Sequence, residues 1–135
     1  MTNRSEGSDE YWELFETQAK YLSEPTQRQI AYDFCKLIED DLDILGNKAL
    51  KIIGELCVGK ASLRKSKMAQ KKLQNHLPKE NIISPYSVLI WAIMENTTSY
   101  PTWYSASIAG SNVVALKRAT YLELTKIVKK YLSDK

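Results

Sequence analysis

Apolar side chains recur three and four positions apart along nearly all of this sequence, and nowhere do they alternate over the length of a strand. A 3.6-residue period lines one side of a helix, whereas a half-buried strand needs a period of two. Alternating β-branched runs closed by turn dipeptides are absent as well. The fold class that follows is all-α: a single antiparallel helical bundle of six or seven helices, joined by short connections.

Start and stop residues place the helices. Ser8 reads as an N-cap with Asp9 and Glu10 in the first turn, which predicts a helix over 9–22. Ser23-Glu24-Pro25 restarts the chain, and Ile30, Phe34, Leu37, Ile38, Leu42 and Leu45 form a stripe that predicts a helix over 25–45 stopped by Gly46. Asn47 then caps a helix over 48–58, with Leu50, Ile53, Leu56 and Cys57 on its apolar side and Gly59 at its end. A helix over 62–77 turns Met68, Ala69, Leu73 and Leu77 inward and stops at Pro78. Ser84-Pro85 opens another over 85–97, interrupted at Tyr100-Pro101. A short helix over 102–109 and a last one over 112–132 flank a bend at Gly110-Ser111-Asn112. The resulting division is a flexible start over 1–7 and one helical domain over 8–133, a usual size for one domain.

The first residues lack an apolar run, and the most apolar stretch, Ser87–Met94, is far shorter than the roughly 20 residues that span a bilayer. A cytoplasmic protein with no membrane partner is expected. Cys35 and Cys57 have neither the number nor the spacing of a disulfide framework or zinc site, and read as buried reduced thiols.

Charge is divided along the chain. Residues 1–45 carry four basic and eleven acidic side chains, and residues 46–135 fifteen basic and five acidic. Two opposed poles bear on partners more than on fold. The acidic one is densest at Glu39, Asp40, Asp41 and Asp43. On a helix, Glu39 and Asp43 would be i, i+4 neighbours and Asp40 and Asp43 i, i+3 neighbours, at the end where the dipole disfavours negative charge. Four readings compete: a solvated face, pairing with Lys60–Lys72, docking of a basic partner through Glu39, Asp40 and Asp43, or a metal site. The last lacks an accompanying His.

Between Lys60 and Lys79 stand seven basic residues and no acidic one. Lys60, Arg64, Lys67 and Lys71, spaced 4, 3, 4, would make one line on a helix. Such a stripe suits an acidic protein or a phosphate backbone, and equally a solvated face. A second cluster, Lys117, Arg118, Lys126, Lys129 and Lys130, favours nucleic acid only where it shares a surface with the first. From Asn81 to Leu116 the one charged residue is Glu95. That segment reads as central core, with Tyr100, Trp103 and Tyr104 as candidates for a homodimer or partner interface.

No catalytic residue stands out. His76, the single histidine, sits at a helix end without an identifiable nucleophile, and no Gly-rich phosphate loop, Gly-x-Ser-x-Gly or His-Glu-x-x-His occurs. No cofactor or metal is implied. In layout, Pro25-Thr-Gln-Arg-Gln-Ile-Ala31, the Ala/Lys helix at 61–77 and the uncharged pair at 86–116 resemble the small all-helical immunity proteins of bacterial polymorphic toxins. That family's small-residue and His-rich pattern on the later helices is mostly missing; Trp, Ile, Tyr and Ser stand there instead. The resemblance implies a non-enzymatic protein that binds and blocks a cognate toxin. The expected function is a non-catalytic protein-interaction module, with a nucleic-acid-binding regulator using 60–77 as the alternative.

Overall fold

The computed structural model describes residues 6–77 and 83–132. Among them are seven α-helices and no strand: α1 Ser8–Thr17, α2 Glu24–Lys36, α3 Ile44–Cys57, α4 Leu63–Asn75, α5 Pro85–Ile93, α6 Thr102–Ala115 and α7 Tyr121–Leu132. Most of the expected flexible start, the stop at Pro78, Lys79 and residue 133 lie outside the described residues.

Helices α2 and α6 form the centre. They pack on each other, with α1 and α7 to one side and α3, α4 and α5 to the other. One apolar core runs through all seven helices, from Tyr11 and Phe15 through Phe34, Ile53, Leu73 and Leu89 to Val113 and Leu124. From α3 to α6 successive helices run antiparallel. Glu55 near the end of α3 pairs with Lys65 near the start of α4. At the far end of α4, His76 meets Tyr86 at the start of α5. Ser87 early in α5 donates to Asn112 late in α6 (2.6 Å).

Several starts and stops fall where the residues predict. Ser23 caps α2, and Ser84 caps α5 in a reciprocal box with Ser87. Gly59, at φ 72°, ends α3 in a Schellman turn closed by the Lys60 amide on the Glu55 carbonyl.

Other boundaries differ. The first helix is capped by Gly7, with Ser8 inside it, and stops at Thr17. A 3₁₀ turn over Ala19–Tyr21 replaces its last turn, and the buried amide of Gln27 donates to the carbonyls of Ala19, Lys20 and Leu22. The helix expected over 25–45 ends at Lys36, followed by a 3₁₀ turn over Glu39–Asp41. Four carboxylates crowded in five residues oppose a continued α-helix, and the chain relieves the repulsion by leaving it. Asp43, not Asn47, caps α3 by accepting from the Gly46 amide (2.9 Å), so Gly46 is an early helical residue rather than a stop. Helix α5 ends at Ile93, four residues early, where Asn96 and Thr97 accept from the amides of Thr102 and Tyr100.

The bend expected at Gly110 is absent, and α6 runs straight through it. A Cβ there would lie 2.2 Å from Tyr11 Oη, 2.8 Å from Phe34 Cε2 and 3.0 Å from Leu124 Cδ1. Glycine thus serves close approach of three helices to α6, and Tyr11 uses that approach to donate to the Ser107 carbonyl (2.7 Å). The break comes at Lys117, whose φ of 63° closes a second Schellman turn through Arg118 N–H to Val113 C=O. Lysine bears the left-handed strain that glycine would avoid. Cys35 is buried as expected, whereas Cys57 is half-buried with its thiol pushed up to about 11 by desolvation.

Candidate functional site

The acidic cluster is occupied from within. Asp41 receives both Nε and Nη2 of Arg118 (2.6 and 2.9 Å), presented by the turn that ends α6. Asp43 accepts from Tyr86 Oη and from the Gly46 amide. Those two hydrogen bonds, that of Tyr86 first, hold the Asp43 carboxyl below its ordinary range, and the same bond pushes the Tyr86 phenol up to about 12. Glu39 pairs with Lys36, and Asp40 is exposed. None of the four carboxylates pairs with the basic helix, so of the four competing readings the pairing with Lys60–Lys72 is not formed. Asp41, Asp43, His76, Ser84, Pro85 and Tyr86 line a hollow of about 310 Å³. His76 Nδ1 engages the Lys72 carbonyl (2.8 Å). Among the described residues no three His, Cys, Asp or Glu side chains converge as metal ligands would.

The basic stripe behaves differently. Arg64, Lys67 and Lys71 lie along one side of α4, while Lys60 falls before the Ser62 cap, in the connection from α3. Lys67 pairs with Glu95 and Lys65 with Glu55, both at the surface. Lys48, Lys60, Arg64, Lys71 and Lys72 have no acidic partner among the described residues.

Apolar side chains lie open among these cations. Met68, assigned from its spacing to the buried side of α4, is 53% exposed, and Leu63 is 50% exposed. Ser66, Ala69 and Leu73 take the inward positions instead. With Arg64, Lys67 and Lys71, Leu63 and Met68 line a shallow hollow of about 410 Å³. Across Met68 lies a narrower groove of about 200 Å³ between α3 and α4. Its floor is Leu45, Ala49, Ile52, Met68 and Ala69, and its rims are Lys48, Lys65 and Lys72. On both helices the lining positions follow the i, i+3, i+4, i+7 pattern, Leu45-Lys48-Ala49-Ile52 and Lys65-Met68-Ala69-Lys72. The spacing was visible in the sequence; which side would remain uncovered was not.

The aromatic candidates split from the core reading of their segment. Nine of the fourteen residues of α6 are buried, so its lack of charge reflects a central position. Tyr100, Trp103 and Tyr104 sit at its beginning, partly exposed, in one ring cluster with Trp91. The second basic cluster is divided: Lys117 and Arg118 lie in the turn after α6, and Lys126, Lys129 and Lys130 on α7, which packs on α1, α2 and α6, whereas α4 packs on α3 and α5. Arg118 and Lys129 are paired with Asp41 and Glu10. No helix of the described residues is long and apolar enough to cross a membrane. Comparison of the chain with protein-family models, with curated proteins and with solved structures finds no match.

Proposed function

We propose that this chain is a non-catalytic protein-binding module that captures an acidic protein partner on the face built by α3 and α4. The observation that carries the reading is the placement of exposed Leu63 and Met68 beside Arg64 and Lys71, which have no acidic partner among the described residues, and beside Lys67, whose one pair, with Glu95, lies at the surface. Exposed apolar surface rimmed by charge is what a protein interface needs, with steering from the rim and affinity from the centre. An immunity-type or otherwise inhibitory role is the most specific form of this function; it rests on the resemblance in helix layout and on no residue in particular.

Nucleic acid is the weaker alternative. A phosphate backbone gains nothing from an apolar floor, and in the second cluster Arg118 and Lys129 are already paired with Asp41 and Glu10. Capture from extract at about 0.05 and 0.5 M salt tests the proposal, with R64E/K67E/K71E beside the wild type. A protein retained at low salt by the wild type, and lost with the variant, is expected. Retention that survives the triple reversal, or that nuclease abolishes, overturns it.

A further inference from the structure

We infer that the α3–α4 groove seats one amphipathic α-helix of the partner, apolar along one side and flanked by Asp or Glu. The inference rests on the protein-binding reading and names the form of the ligand. Ala49 and Ala69 lie nearly buried at the bottom of the groove, and Leu45, Ile52 and Met68 complete its apolar lining. The floor offers room of about 200 Å³, somewhat more than the ~150 Å³ that holds a benzene ring. One large apolar side chain of the occupant fits there. A second reaches the hollow beyond Met68, whose unbranched thioether adapts to what it meets.

The spacing selects the secondary structure of the occupant. The lining of each wall repeats at three and four residues, and the walls present no strand edge to which an extended peptide would add. From Leu45 to Ile52 the wall is about 10 Å long, two helical turns, and the hollow lies beside it across Met68. The rims select the charge. Between Ile44 and Leu77 the chain has eight basic residues and one acidic, Glu55. Glu55 is engaged only in an exposed pair with Lys65, which a partner carboxylate can replace at little cost.

A second copy does not fit. Face to face, two such surfaces would set lysine against lysine. The acidic helix α1 has its apolar side chains Tyr11, Leu14 and Phe15 buried in its own core and offers no stripe to the groove. A bilayer is also a poor match, because the Leu45, Ala49 and Ile52 side chains line a concave floor instead of projecting as a wedge.

The test uses the full chain and synthetic probes of about 14 residues. One carries Leu at helical 3–4 spacing with Glu between. The second has the same composition scrambled, and the third has Leu replaced by Ala. A single-stranded oligonucleotide and phosphatidylglycerol vesicles complete the set. Binding is read by anisotropy and by the methyl resonance of Met68, with half-buried Met94 as internal reference. The amphipathic acidic peptide is expected to bind in the micromolar range, as small interfaces do, and to shift Met68 but not Met94. The scrambled and Ala peptides should bind at least about tenfold more weakly. M68E and I52E should lower affinity at least about tenfold; position 68 is open enough that M68E keeps the fold, checked by circular dichroism. Equal binding of the scrambled peptide overturns the helix seat but leaves acidic-protein capture standing. Failure of every acidic peptide overturns the seat. If the oligonucleotide or the vesicles then shift Met68, protein capture falls with it.

Discussion

The two charge poles look alike in sequence and differ in commitment. In the acidic stretch Asp41 is clamped by Arg118, Asp43 holds both the start of α3 and the Tyr86 hydroxyl, and Glu39 meets Lys36. On the basic face Lys48, Arg64, Lys71 and Lys72 lack acidic partners among the described residues. The first set ties elements together; the second is available to a partner. Density of like charge therefore says where to look, and only the neighbours in space say whether a cluster is scaffold or surface.

Substitutions separate these roles, and the largest effect is expected in the frame that keeps the poles apart. Gly110→Ala drives a methyl into Tyr11 and Phe34 and displaces the Tyr11 bond to Ser107. A loss of about 3 kcal/mol is expected by denaturant titration, since overpacking at this distance forces helices apart. Asp43→Ala removes a cap and should lower the melting midpoint by about 4 °C, whereas Asp43→Asn keeps the cap and loses less. A double-mutant cycle of Asp41→Ala and Arg118→Ala should give a coupling of about 0.5 kcal/mol, because the pair is partly solvated. Smallest of all, Arg64→Ala, Lys71→Ala and Lys72→Ala should each leave stability within about 0.5 kcal/mol, even as they weaken partner binding. A basic-face substitution as damaging as Asp43→Ala would erase the contrast.

Titration sharpens the same contrast. The Tyr86 phenol is raised in the folded chain, so its contribution is full below its ordinary value near 10 and is lost as pH rises through about 12. The Asp43 carboxyl is lowered, so its contribution is present above the ordinary carboxylate range, near 4, and is lost as pH falls through its depressed value. Ultraviolet titration of the tyrosines should show one phenol ionising near 12 that moves toward 10 in Asp43→Asn.

How much was legible in the sequence depended on whether the deciding contact is local. Ser23, Ser84 and Gly59 act within one turn, and the helix ends they set were readable from residue type. Arg118 was not readable as the partner of Asp41, because the Lys117 turn that aims it has no glycine to announce it. Leu42 and Leu45 continued the period of α2 while belonging, in space, to the start of α3. Met68 shows the same limit at the groove: its spacing placed it with Ala69 and Leu73, yet it stands exposed at the groove's edge while Ser66, Ala69 and Leu73 turn inward. That Arg64, Lys67 and Lys71 share one side of a helix was legible from their spacing, whereas the apolar floor beside them was not.

The bond from Tyr11 to Ser107 spans 96 positions, and α1 packs chiefly on α7. On a ribosome the first helix therefore emerges long before α6 and α7, against which much of it rests. At about 5–20 residues per second, translation leaves Tyr11, Leu14 and Phe15 without their final neighbours for roughly 5–20 s. Until then the 3₁₀ turn over Ala19–Tyr21 and Phe34 of α2 are the early neighbours against which that helix can gather.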